Sequence, residues 1–118
     1  MAKYAILIYD DPTGYQNMSP EAWQATIDAH GKFVEQVFAL GGSLAGGEAL
    51  ANTGTATSIR GGSTVTDGPF LETKEALGGF YVVEARDLEH AVEIATLCPA
   101  PFGGVEVRPV VDPTTNPF

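Results

Sequence analysis

Two short runs, Tyr4–Tyr9 and Gly79–Ala85, are apolar on both alternating faces, and this constrains the fold more than any other feature of the chain. In the first run Tyr4, Ile6 and Ile8 point one way, and Ala5, Leu7 and Tyr9 the other. In the second, Phe80 and Val82 oppose Tyr81, Val83 and Ala85. Successive strand residues face opposite sides of a sheet. A strand with one wet face in an antiparallel sheet alternates apolar with polar residues. These two runs do not, so both faces of their sheet need cover.

The chain supplies two helical segments for that purpose. Ser19-Pro20-Glu21 opens the first: Ser caps, Pro takes the first helical position, and Glu meets the positive end of the dipole. It is expected to run to about Leu40 and to end at Gly41-Gly42. Asp87 caps a second helix, Leu88–Cys98, which Pro99 stops. Ser43–Leu50 and Val105–Val110 read as strands, and Ala56–Ile59 with Ser63–Thr66 as a short hairpin around Gly61-Gly62. Strand, helix, strand with an extra hairpin, strand, helix, strand is the β-α-β-β-α-β order of an α+β, ferredoxin-like sandwich. Its helices cover one face of an antiparallel sheet. The other face is left for a second copy of the sheet, so a homodimer through that face is expected.

With 118 residues, the chain is the size of one domain. Residues 1–111 are assigned to it, and the polar, Pro-containing 112–118 to a loosely held tail. The net charge is −9, and six Lys and Arg are spread without a basic stripe. Nucleic acid and anionic membrane are therefore not expected partners. Cys98 is the single cysteine, so no internal disulfide or Cys-based zinc site can form. With no signal-peptide pattern and no membrane-length apolar run, a cytoplasmic location is expected.

Two segments carry possible chemistry. Around the first helix, Trp23, Ile27, Val34, Val37 and Phe38 fall on one arc, with His30 near its middle. His30 is thus expected to face the sheet, as a hydrogen-bonded structural group or as a pocket residue. His90, on the arc opposite Leu88, Ala91, Val92 and Ala95, is expected on the surface. Cys98 is expected to be an inert packing thiol. The second segment is Asp67-Gly68-Pro69-Phe70, a turn in which Gly tolerates positive φ and Pro fixes its own. Asp67 either bonds its own backbone there or offers a carboxylate. Pro69 stiffens the turn, and Phe70 is expected to plug an apolar site. Glu72, Lys74 and Glu75 read as solvated, and Gly78-Gly79 as a bend or a close backbone approach. There is no phosphate-binding loop, dinucleotide fingerprint, nucleophile elbow or paired metal-ligand spacing, and no cofactor is expected.

From Thr66 to Tyr81 the string resembles the signature of the DGPF branch of the YCII-related proteins. The resemblance extends over nearly the whole chain, from the first strand through Val105–Val110. It implies a small bacterial α+β domain that dimerises sheet to sheet as a dimeric α/β barrel. It also implies an acid/base pair of a first-helix histidine, matched here by His30, with an Asp. That Asp is Asp10, at the end of the first strand, or Asp67, in the turn. Read from the residues, Tyr9 and Tyr81 could line a pocket, with core packing the default for both; Tyr9, Gly68, Pro69 and Phe70 are the expected substrate-contacting set. The activity implied is a cofactor-independent, lyase- or isomerase-like small-molecule enzyme. The alternative is a non-catalytic ligand-binding or regulatory module associated with alternative sigma factor systems.

Overall fold

The computed structural model describes residues 1–118. In chain order it contains β1 (Ala2–Asp10), α1 (Pro20–Ala39), β2 (Ser43–Ala49), β3 (Thr57–Arg60), β4 (Thr64–Asp67), β5 (Ala76–Ala85), α2 (Leu88–Ala95) and β6 (Gly103–Pro109). Both helices begin at the residues that capping chemistry selects. Ser19 Oγ accepts from Ala22 N at 3.1 Å, and Asp87 Oδ1 accepts from His90 N at 2.8 Å. A short 3-10 turn, Pro12–Tyr15, leads from β1 toward α1.

The main sheet is antiparallel throughout, in the order β2-β5-β1-β6. With two helices against it, this is an α+β arrangement consistent with a ferredoxin-like fold. No helix is long and apolar enough to cross a membrane. Register fixes which residues share a face: Tyr4 pairs with Val83, Ile6 with Tyr81 and Ile8 with Gly79. Tyr4, Ile6, Ile8, Val83 and Ala85 join Phe33 and Val37 of α1 and Ala91, Ile94 and Ala95 of α2 in one buried cluster. Both helices therefore lie on the same side of the sheet. Ala5, Leu7, Tyr9, Phe80 and Val82 form the opposite face and are half-buried by one another.

β3 and β4 form a separate two-stranded ribbon. Its turn, Gly61-Gly62, has φ of +62° and +75°, a left-handed pair that glycine adopts without a Cβ clash. The hairpin predicted from sequence is thus present, shifted by a residue.

Three burial expectations are corrected. The sheet-facing stripe of α1 is Thr26, His30, Phe33, Val37 and Leu40; His30 and Val37 of the predicted arc lie on it, whereas Phe38 is exposed. Only Phe33 and Val37, in the C-terminal half, are fully buried. Trp23 and Ile27, in the N-terminal half, stay 51 % and 48 % exposed. On α2 the buried face is His90, Ala91, Ile94 and Ala95, with Cys98 just beyond, whereas Leu88 and Val92 are exposed. His90, expected on the surface, is only 2 % exposed. Its Nδ1 accepts from Arg86 N at 3.1 Å and its Nε2 donates to Leu40 O at 2.8 Å. A histidine in the first turn can reach backbone groups beyond its own helix, and here the ring joins the end of α1 to the start of α2. Phe70, expected to plug an apolar site, is 54 % exposed, with the Arg60 guanidinium 4.2 Å above its ring.

Candidate functional site

A cleft of about 650 Å³ opens between the N-terminal half of α1 and one end of the sheet. Its origin lies in side-chain size. Further along the sheet, Leu44, Val83 and Tyr4 meet the buried part of α1 and α2. Toward the open end the corresponding positions are Gly47, Ala49 and Gly79, which fill little space. The glycines also respond to crowding. A Cβ on Gly47 would stand 2.8 Å from Phe80 O and from the Tyr81 ring; one on Gly79 would stand 3.0 Å from Glu48 O. A bulge at Gly78, where Ile8 pairs with Gly79 but Tyr9 with Leu77, bends β5 at the same place.

His30 projects into this cleft from α1. Its Nδ1 lies 2.7 Å from the Tyr81 hydroxyl, with the rings tilted at 31°. Nε2 has no protein partner, and it is not sealed, because no partnerless side-chain nitrogen or oxygen is buried anywhere in the chain. Burial pushes the imidazole below its ordinary value of 6.5, and the Asp10 charge pulls it partly back. His30 is therefore neutral at neutral pH. Burial, with a smaller contribution from Cys98, raises the Tyr81 phenol, so it keeps its proton. The pair has two arrangements. Either Tyr81 donates to Nδ1 and Nε2–H faces the cleft, or Nδ1–H donates to Tyr81 and Nε2 presents a lone pair.

Asp10 sits on the same wall, 6 % exposed. Its Oδ1 accepts from Phe102 N at 2.8 Å, and its Oδ2 accepts from the Tyr15 hydroxyl. Burial and this carboxylate both push the Tyr15 phenol well above its ordinary range. Tyr15 also packs edge-on against Phe102 and Trp23, with centroids 4.9 and 6.3 Å apart. Gly14 makes this possible, since a Cβ there would lie 2.4 Å from the Phe102 ring. Asp10 thus ties the β1–α1 and α2–β6 connections together while its charge reaches His30. It makes no direct bond to the imidazole.

The other residues singled out from sequence lie elsewhere. Tyr9 is on the opposite face of the sheet, because alternation along β1 puts Ile8 and Asp10 on the cleft side. Asp67 is exposed at the end of β4, opposite Thr57. Gly68, at φ +98°, is held by Gly68 N to Ala56 O (2.7 Å) and by Ser58 Oγ donating to its carbonyl (2.7 Å). Pro69 and Phe70 follow on the ribbon side, outside the cleft. Tyr15, Trp23 and Tyr81 line the cleft but stand outside the expected site set; Trp23 belongs to the predicted arc with His30. Cys98 is buried beneath the cleft region, and burial, helped by the Asp10 charge, pushes its thiol up to about 12. No group of three or more His, Cys, Asp or Glu side chains could hold a metal ion.

Comparison with known proteins agrees with this architecture. An uncharacterized protein of Rhizobium meliloti (strain 1021) is 32 % identical over 113 residues, covering 91 % of this chain and 90 % of the relative. The model of the YCII-related domain matches residues 2–114. A match over nearly the full length, on a chain with this sheet order and a histidine in its cleft, shows that the protein belongs to the YCII-related family.

Proposed function

We propose that the protein is a cofactor-independent acid–base enzyme acting on a small molecule, with His30 moving the proton and Tyr81 orienting it. The observation that carries this reading is His30 itself: a neutral imidazole with one nitrogen fixed by a phenol and the other open to a cleft. A base at the operating pH must be unprotonated, and its proton-accepting atom must be reachable; both conditions hold here. With Nδ1–H donating to the Tyr81 hydroxyl, Nε2 can take a proton from the substrate, forming the imidazolium, and then return it, so His30 serves as base and then as acid within one cycle while Tyr81 keeps its own proton. Lyase and isomerase reactions, which take a proton from one carbon and return it elsewhere or expel a leaving group, need this and no redox partner. Asp10 acts at a distance, favouring the imidazolium that forms when His30 accepts a proton.

The same reading assigns the chain to the DGPF branch on its Asp67–Phe70 turn. It also makes the working unit a cytoplasmic homodimer closed over the face of Ala5, Leu7, Tyr9, Phe80 and Val82. That face is apolar and lies opposite the cleft, so pairing there leaves the cleft accessible.

The test is a metabolite-library thermal-shift screen on wild type and His30→Asn, followed by assay of each hit for solvent-deuterium incorporation. A bound ligand raises apparent stability by mass action. The expected result is a hit that wild type converts or labels and that folded His30→Asn does not. Equal labelling by both proteins would sink the reading.

A further inference from the structure

We propose that the β3–β4 ribbon is a clasping arm whose Ile59–Val65 face lies against a second copy of this chain. This adds a second contact surface to the homodimer of the preceding reading and rests on that homodimer.

The ribbon has one covered face and one bare face. Ser58 and Arg60 share a face of β3, and Ile59, directly opposite Val65, lies on the other. Gly68 N donates to Ala56 O at 2.7 Å, which extends the ladder by one pair. Beyond it the chain returns over the face of Ser58 and Arg60. Ser58 Oγ donates to Gly68 O at 2.7 Å, and the Arg60 guanidinium stands 4.2 Å from the centre of the Phe70 ring. The Asp67–Phe70 turn thus backs the ribbon and stiffens it. The other face has no backing: Ile59 and Val65 are 59 % and 63 % exposed, bordered by Thr57 and Asp67. An apolar centre within a polar border is how protein interfaces are built. A two-stranded hairpin is only marginally stable alone, and this one is hydrogen-bonded to no strand of the main sheet. Every residue from Thr57 to Asp67 except Ser58 is exposed.

Surface and charge select a second copy as the occupant. The chain exposes 7815 Å², about 1,700 Å² more than the roughly 6,100 Å² of a compact monomer of 12.4 kDa. A standard interface covers about 800 Å² per partner, so an excess of this size matches the larger contact of an obligate homodimer. The radius of gyration, 15.9 Å, likewise exceeds the roughly 13.5 Å of a compact chain this long. From Ala49 to Thr66 there is no acidic side chain and one cation, Arg60, in a chain of net charge −9. The ribbon can therefore approach another acidic copy without like-charge repulsion. Two-fold symmetry makes the clasp reciprocal, each ribbon lying on the other copy.

Sedimentation equilibrium on the full chain tests this with wild type, Ile59→Thr/Val65→Thr and Leu7→Lys/Val82→Lys. Thr keeps the β-branched preference of a strand while removing apolar surface, so the ribbon variant should keep the amide spectrum of a folded chain. The expected result is a wild-type dimer whose dissociation constant rises at least tenfold in the ribbon variant. Amides of Ile59 and Val65 should be protected from exchange in wild type where it is dimeric and exchange freely where dilution has dissociated it. Unchanged association of the folded ribbon variant overturns the proposal. So do ribbon amides left unprotected in the dimer, or a wild type that stays monomeric. The sheet-face variant separates the two contacts. If it alone dissociates, the sheet pairing stands and the clasp falls; if the ribbon variant alone dissociates, the clasp stands and the sheet pairing falls.

Discussion

His90 offers the sharpest quantitative check on how the two helices are held together. The ring is almost wholly buried and makes one bond at each nitrogen, to Arg86 N and Leu40 O. Those bonds require the Nε2–H tautomer. Leu40 is the C-cap of α1, so its carbonyl has no intrahelical donor ahead of it. Replacing His90 with Ala strands this carbonyl and the Arg86 N–H and leaves a hole the size of an imidazole. A stranded buried polar group costs about 1–3 kcal/mol. Two such groups plus the lost packing come to about 3–5 kcal/mol, a large share of the roughly 5–15 kcal/mol typical of a domain. His90→Asn can keep the acceptor for Arg86 N, because its side-chain oxygen falls near Nδ1. It loses the donor to Leu40 O and should cost about 2 kcal/mol. Urea unfolding read as a shift in midpoint at constant slope measures both. An Ala cost below about 1 kcal/mol, or Asn costing as much as Ala, would refute the bridging role.

Other expectations concern the cleft and the open face. His30 has a folded pKa lowered below 6.5, so the unfolded chain binds its proton first as pH falls. Stability present above pH 6.5 is therefore lost as pH drops toward the folded value, and His30→Asn should flatten that part of a melting-temperature profile. Asp10→Asn removes the charge that pulls the imidazole upward, so the His30 ring should titrate at lower pH than in wild type by NMR; an unchanged midpoint would deny the coupling. Leu7→Lys with Val82→Lys places two charges on the apolar sheet face; light scattering should find wild type at the mass of the proposed dimer and the folded variant at that of a monomer, and equal masses would refute the sheet-to-sheet pairing. Cys98 should resist thiol reagents at neutral pH until the protein is unfolded in urea.

Local chemistry was readable before the structure; partnerships across the sheet were not. Ser19, Asp87 and the Gly61-Gly62 turn act within a few residues of themselves, so their roles follow from the sequence alone. The order of strands and helices follows from such punctuation together with apolar spacing. The arc on α1 was rotated because apolar periodicity does not distinguish a core position from a cleft wall. Trp23 and Ile27 belong to the wall and Phe33 to the core, and all three are simply apolar. The His30–Tyr81 bond joins residues 51 positions apart, and the Phe102–Asp10 bond residues 92 apart. Both depend on register across β5, β1 and β6, which a single sequence does not state. The Asp67–Phe70 turn, the most recognisable string in the chain, lies on the ribbon and not in the cleft.

α1 behaves as a beam clamped at one end. Phe33 and Val37 bolt its C-terminal half to the sheet, while the half bearing Trp23 and Ile27 overhangs open space. Gly31 sits at the clamp, with no atom near enough to crowd a side chain there, and glycine weakens a helix locally by about 1 kcal/mol relative to Ala. Bending and fraying concentrate where a helix is least anchored. Amide hydrogens of residues 24–30 should therefore exchange faster than those of 33–39. The cleft wall formed by Trp23 and Ile27 can lift as a unit without disturbing the packing that holds the domain together.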